Sequence, residues 1–328
     1  MKHFKLLLVL LFVIVFSCKD GSKKSYLPSS IGAINTMIVV IDNELWKSKV
    51  GDKVREHFAA SSLGLTMDEP LFSIIQVPPE VFSGTVRKTR SVLYVQQDTL
   101  NLAHIKTDMY SKPQKVAVVK GKTEDEINEN LDKKANDIIN TFKSLEISEA
   151  QNRFQRSLNK EKTVQEKFGI NLTIPSVYKV VKNEDNFVWI ERQIQRGTMN
   201  IIAYEMPWDS FTVDSTFVKD IVRMRDSIGS LYIPGPDVPR KRTHMRTEPA
   251  FSPSVFPAEV SGMKAAEVRG LWDIKNYPMA GPFLTYIVSD KEHNRKMVIE
   301  GFTFAPATEK RDYMFELEAI IKTLRFNK

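Results

Sequence analysis

The chain has 328 residues, 42% of them apolar and 10% aromatic, which suits about two globular domains whose cores need neither disulfides nor metal. Its single cysteine, Cys18, excludes an intramolecular disulfide. The formal charge of +7 is a mild basic excess, which permits contact with anionic surfaces without demanding it.

Lys2 and Lys5 precede an unbroken apolar run from Leu6 to Phe16, eleven residues against the roughly 20 that span a bilayer. The run ends in Val15-Phe16-Ser17-Cys18, which resembles a bacterial lipoprotein signal with a bulky Phe16 at a loosely specified position. That resemblance implies removal of residues 1–17, lipidation of Cys18, and a tether over 18–29. The mature chain then loses two lysines and no acids, which lowers its charge to +5. Two or more acyl chains make a stable anchor, since each buried methylene contributes about 0.8 kcal/mol.

Thr36 to Ile41 reads as a buried strand, and Asp42 or Asn43 as the cap of a helix carrying Trp46, Val50, Val54 and Phe58 on one face. Gly64 closes this segment. Strands follow at Leu71–Val77, Ser91–Gln97 and Lys115–Lys120, with a basic loop of Arg87, Lys88 and Arg90 before the second of them. Thr123 and Glu126 have capping-box spacing before a stripe of Ile127, Leu131, Ile138, Phe142 and Leu145, and a restart at Ser148 carries Phe154 and Leu158. This long helix joins two halves.

Strands resume at Asn171–Val181, Asn186–Gln193 and Met199–Met206; Pro175 gives the first an edge position or a bulge. Phe217, Ile221, Met224 and Ile228 form a helix face, with Gly229 placed for its C-terminal turn. Six prolines between 233 and 257 predict an extended, exposed and mobile loop. Strands at Ala265–Trp272, Phe283–Ser289 and Met297–Phe304 precede a final helix with Tyr313, Leu317, Ile320, Ile321 and Leu324.

Thr36–Ser48 is echoed at an offset of 162 residues by Thr198–Ser210, with Thr, Met, Trp and Ser in register. This predicts an α+β chain of two related sandwich-like halves, 30–160 and 161–328, with mainly antiparallel sheets and with Trp46 and Trp208 in equivalent places.

Signatures of chemistry are sparse. None of the five histidines forms a close metal-binding pair, and the sequence has no G-x-S-x-G elbow, phosphate loop or dinucleotide fingerprint. No catalytic residue, metal or cofactor is assigned. Glu80, Glu191, Glu205 and Glu300 are carboxylates that act as acid and base only if the fold brings them together. Arg240, Lys241, Arg242 and Arg246, with His244 among them, are the candidate anion-binding group. No aromatic interleaving marks a stacking platform, so nucleic acid is not expected.

Leu27-Pro28-Ser29-Ser30-Ile31-Gly32, Asn43-Glu44-Leu45-Trp46, Asp68-Glu69-Pro70-Leu71-Phe72, Pro78-Pro79-Glu80-Val81-Phe82 and Phe187-Val188-Trp189 together resemble the Bacteroidota lipoproteins of the domain-of-unknown-function (DUF) 4837 family, over nearly all of the mature chain. The resemblance supplies no activity. It implies a Gram-negative envelope, and Lys19 after the cysteine favours the outer membrane facing the periplasm. The second half also faintly resembles the PsbP and Mog1 class of α/β/α sandwiches.

The expectation is a non-catalytic, membrane-anchored envelope lipoprotein that binds a protein partner or an envelope component. The alternatives are a carboxylate-based glycan or peptidoglycan hydrolase and a carrier of a lipid or small apolar ligand. Convergent carboxylates favour the hydrolase, a deep apolar pocket the carrier, and a broad exposed apolar patch the partner-binding protein.

Overall fold

The computed structural model describes residues 26–211 and 215–327. Cys18, the signal-like run and most of the tether lie outside the described residues.

The first half builds a five-stranded sheet from β1 (Thr36–Val40), β2 (Ser73–Val77), β3 (Ser91–Gln97), β4 (Leu102–Thr107) and β5 (Lys115–Gly121), in the order β2-β1-β3-β5-β4. β1 pairs parallel with β2 and β3, β3 pairs parallel with β5, and β4 alone runs antiparallel. This corrects the expected antiparallel pairing for this half. The physical reason is burial on both faces. β1, β3 and β5 are near-continuous apolar runs with buried residues pointing both ways, the pattern of a covered parallel sheet.

One face carries α1 (Asn43–Lys47), α2 (Lys49–Phe58) and α3 (Glu124–Phe154). Asp42 Oδ1 accepts from the Glu44 N–H at 2.8 Å and Ser48 Oγ from the Val50 N–H at 3.2 Å, so each short helix has its own cap. The 31 residues of α3 are continuous, without the expected restart, and span about 46 Å. Ile127, Leu131, Ile138 and Phe142 of α3 pack with Val50, Val54 and Phe58 of α2 over Val39, Leu93 and Val119. Loops close the other face with Phe82, Val86 and Tyr110 over Val40, Val92 and Val116.

The second half contains α4 (Thr163–Phe168), β6 (Ile170–Asn171), β7 (Lys179–Glu184), β8 (Phe187–Ile194), β9 (Gly197–Pro207), α5 (Phe217–Tyr232), β10 (Met245–Thr247), β11 (Ser254–Val260), β12 (Met263–Ile274), β13 (Tyr277–Asp290), β14 (Arg295–Phe304), α6 (Arg311–Ile321) and β15 (Arg325–Phe326). Its large sheet runs β10-β12-β13-β14-β9-β8-β7, with β11 also on β12, and every pair is antiparallel. The chain is therefore α+β with mostly antiparallel pairing. α6 covers one sheet face through Leu317, Ile320 and Ile321, and α5 covers the other through Ile221 and Met224. Gly229 lies inside α5, not at its end. A Cβ there would sit 2.1 Å from the Met245 carbonyl oxygen, so glycine permits the close approach of α5 to β10.

The halves do not repeat one another. Trp46 sits on α1 beyond the parallel strand β1, under the Arg55 guanidinium at 4.4 Å. Trp208 lies in a turn after β9, an antiparallel strand between β14 and β8, with Lys296 Nζ 4.2 Å from its ring centre. The shared Thr, Met, Trp and Ser thus mark unrelated elements, and the duplication is withdrawn.

Two joints hold the halves together. Glu69, only 3% exposed, accepts N–H bonds from Lys310 at 2.8 Å and Arg311 at 2.7 Å at the start of α6. Glu146, fully buried on α3, accepts from Arg90 at 2.9 Å and from the Asn35 N–H at 3.2 Å, and Asn35 Nδ2 donates to Asp312 at 3.0 Å.

Candidate functional site: a crevice where the strand order reverses

β2 and β3 flank β1 on opposite sides, so the chain leaves β1 in one direction and returns on the other. In parallel sheets such a reversal opens a crevice at the carboxyl ends of the strands, because the connections diverge there. A cavity of about 760 Å³ occupies this position. Asp42, Glu44, Lys47 and Ser48 line it from α1 and its flanks, Glu80 from the turn after β2, Gln96 and Gln97 from the end of β3, and Glu124 from the start of α3.

Four carboxylates face one lysine, a local charge of −3 in a chain of +7. Asp42 is committed to capping α1, and Glu44 pairs with Lys47 at 3.3 Å. The Ser48 hydroxyl donates to the Leu45 carbonyl at 3.1 Å and caps α2, and no histidine lines the crevice, so no base activates it. Glu80 is exposed, and among the described residues no basic side chain pairs with it or with Glu124. The arrangement attracts cations; it lacks the contrast of buried and solvated carboxyls that separates an acid from a base. Among the described residues, no three His, Cys, Asp or Glu side chains are grouped to hold a metal ion.

The carboxylates singled out in sequence do not converge. Glu300 is buried against Arg225 at 2.6 Å and Thr285 at 2.6 Å, Glu205 pairs with Arg295 at 2.6 Å, and Glu191 accepts from Gln193. Only Glu80 reaches the crevice.

The basic candidates also separate. Arg240 and Lys241 are exposed on a loop pinned by the Val238–Lys241 and Pro234–His244 bridges. Arg242 turns back to donate to the Ser230 carbonyl at 2.9 Å, near the end of α5. Arg246 lies in β10, half-buried, with two bonds of 2.9 Å to Asp273. His244 between them has a buried Nδ1 without a hydrogen-bond partner, and burial followed by the neighbouring Arg242, Lys275 and Arg246 pushes its ring pKa down. Arg240, Lys241 and Arg242 therefore stay exposed, while Asp273 draws Arg246 out of the group.

A second cavity, about 380 Å³, lies at the junction of the halves. Ile34, Phe154, Val177 and Phe315 give it apolar walls, and Arg153, Arg156 and Arg192 bring charge to it. It is an open junction, not a pocket enclosed between one sheet and its helices.

Sequence reasoning missed Asp42, Glu44, Lys47 and Glu124 as crevice residues. The available signal was the doubly buried β1 followed by helix, which identifies a parallel sheet and hence a crevice at its carboxyl end.

Residues 157–323, just over half of the chain, match the family model described as Domain of unknown function (DUF4837). The chain belongs to the DUF4837 family. Residues 30–155 of this DUF4837 protein match a second model, Domain of unknown function (DUF8532), so the DUF4837 match does not extend over the first half. No curated protein matches it. Among solved structures, the DUF4837 protein is similar to a Bacteroides thetaiotaomicron VPI-5482 protein at 12% identity and TM-score 0.26, covering 49% of this chain and 46% of that one. It is also similar to the Saccharomyces cerevisiae Ran-binding protein Mog1p at 9% identity and TM-score 0.31, covering 48% of this chain and 90% of that one.

Proposed function

We propose that this DUF4837 protein is a non-catalytic envelope lipoprotein, anchored by lipid on Cys18 at the outer membrane facing the periplasm, that holds a cationic segment of a protein partner or envelope component in the crevice. The signal-like run ending at the only cysteine supports the anchor. Among the described residues no helix is long and apolar enough to cross a membrane. The observation that carries the binding reading is the −3 crevice at the strand reversal, where Asp42, Glu44 and Ser48 are already spent on local structure. Opposite charge across such an interface guides encounter and fixes register more than it raises affinity.

A photoreactive side chain placed at Gln97, in the crevice, and another at Glu259, exposed on β11, test this in the native envelope. The expected result is one reproducible adduct from Gln97 alone, weakened by Glu80→Lys with Glu124→Lys. Equal labelling from both sites, or none from Gln97, overturns the crevice as the binding site. Fractionation of Cys18→Ala tests the anchor separately, since a variant that stays membrane-bound like the parent defeats it.

Glu80 and Glu124, which have no basic partner among the described residues, favour one second reading, a glycan or peptidoglycan hydrolase. Turnover of an envelope glycan by the purified chain, lost in Glu80→Gln or Glu124→Gln, would replace the binding reading with that one.

A further inference from the structure

The described chain begins at the opposite end of the first sheet from the crevice. Lys112 N–H donates to the Pro28 carbonyl at 2.9 Å, Ser30 N–H to the Lys112 carbonyl at 3.1 Å, and Ile31 N–H to the Lys88 carbonyl at 3.0 Å. These bonds fasten residues 28–31 beside the amino ends of β3 and β5, at Ser91 and Lys115. Tyr26, 89% exposed, stands just before them.

Around this entry point the sheet end is basic. Arg87, Lys88, Lys106, Lys112 and Lys115 gather there with Asp108 as the acid among them, a local charge of +4. The group is a built structure. Arg87 lies over the Tyr110 ring at 5.3 Å, and Gln114 ties the loops by donating to the Arg87 carbonyl at 2.6 Å and accepting from the Tyr110 N–H at 2.9 Å. Lys106 and Lys112 are exposed, and Lys115 Nζ donates to the Thr107 hydroxyl at 2.8 Å. The first sheet thus has a cationic corner beside the amino end of β5 and an acidic crevice at its carboxyl end, separated by strands about 20 Å long.

We propose that the basic corner of this sheet around Lys106, Lys112 and Lys115, beside the joint between the halves, is a lipid-facing surface that rests on anionic phospholipid headgroups, so that the acidic crevice is displayed away from the membrane. The proposal rests on the anchored reading for its starting point. Seven residues lie between Cys18 and Tyr26, and the eight steps extend to at most about 28 Å, which keeps this surface close to any bilayer that holds the lipid. A lipid chain and a basic patch are the two signals that together make anchoring firm. The Arg240–Arg246 loop lies in the other half, where Arg246 is paired with Asp273 and Arg242 donates to the Ser230 carbonyl.

The experiment uses the full lipidated chain in vesicles of neutral phosphatidylcholine, or of the same lipid with three-tenths phosphatidylglycerol. A fluorophore is attached at Tyr26→Cys or, as control, at Gln97→Cys, with a headgroup-linked quencher in the bilayer. In anionic vesicles the Tyr26 label is quenched and the Gln97 label is not. Each cation lost weakens headgroup contact about fivefold. Lys106→Glu with Lys112→Glu, or a rise in salt toward 0.5 M, therefore abolishes the excess quenching while flotation with the vesicles persists. Quenching at Tyr26 that ignores lipid charge and charge reversal overturns the proposal, as does equal quenching at Gln97. Loss of flotation in the parent chain is the separate failure of the anchored reading. In that event co-sedimentation of the unanchored chain decides: salt-sensitive binding to anionic vesicles upholds the surface, and no binding refutes it.

Discussion

Replacing Glu69 by glutamine keeps the shape of the side chain and removes the charge from the joint between the halves. In the parent, Glu69 Oε1 and Oε2 accept from the Lys310 N–H at 2.8 and 2.9 Å, and Oε2 accepts from the Arg311 N–H at 2.7 Å. All of this happens at a residue 3% exposed, where water cannot substitute. These N–H groups open α6, whose first turn carries the positive end of the helix dipole. Glutamine retains one acceptor oxygen and turns an amide N–H toward a backbone donor. A hydrogen bond to a charged group contributes about 1.5–3 kcal/mol, and the dipole adds up to about 2 in a buried geometry. We expect Glu69→Gln to cost about 2–4 kcal/mol, which lowers Tm by roughly 5–10 °C in a chain of this size. Thermal unfolding followed by circular dichroism measures it, with the exposed Glu80→Gln as a control that moves Tm by no more than about 1 °C. A Glu69→Gln transition superimposable on the parent's would refute the view that this carboxylate holds α6 in place.

Two further outcomes follow from buried charge. Arg90→Met strands Glu146, which is fully buried, and should cost about 3–5 kcal/mol in urea unfolding, whereas Arg90→Met with Glu146→Leu should recover most of it; equal losses in both variants would contradict this. Burial alone would raise the pKa of Glu318, but Arg269 at 2.7 Å and Lys322 at 2.6 Å outweigh it and hold the carboxyl at about 2, below an unfolded value of about 4.3. Since the folded pKa is the lower one, this stabilisation is complete above about pH 4.3 and is lost as pH falls toward 2, up to about 3 kcal/mol before screening of the part-exposed Lys322. The parent should therefore lose more stability than Glu318→Gln between pH 6 and pH 3, and parallel losses would count against the pairing.

Local signals carried much of the architecture. The Trp46, Val50, Val54, Phe58 spacing gave the face of α1 and α2, and the Thr123 and Glu126 pair gave the start of α3. Strand direction was not legible in the same way. Parallel pairing depends on which strands become neighbours, and β1 acquires β3 as a neighbour 51 residues after it, at Val92 opposite Ile38, for example, only through the whole connection. The crevice inherits that illegibility, since its lining comes from segments as distant as Asp42 and Glu124. Charge was misread for a related reason. Arg90 and Arg246 appear as members of basic clusters in sequence, yet each meets a carboxylate brought from elsewhere, Glu146 and Asp273.

The short motifs that carry the family resemblance fall largely in residues 30–155, the region matched by the second model, and the structure gives most of them a mechanical role. Leu27 to Gly32 fastens the chain's entry through Pro28, Ser30 and Ile31. Asn43 to Trp46 forms α1 at the crevice wall, and Pro79 to Phe82 turns from its opposite wall into the core, where Phe82 is 3% exposed. Asp68 to Phe72 supplies Glu69 to α6 in the other half. These motifs line the acidic crevice, fasten the chain's entry at the opposite end, and tie that opposite end to the second half. A carboxylate from the first half, Glu69, thus caps a helix of the second, so the order of α6 depends on a residue 241 positions before it in sequence.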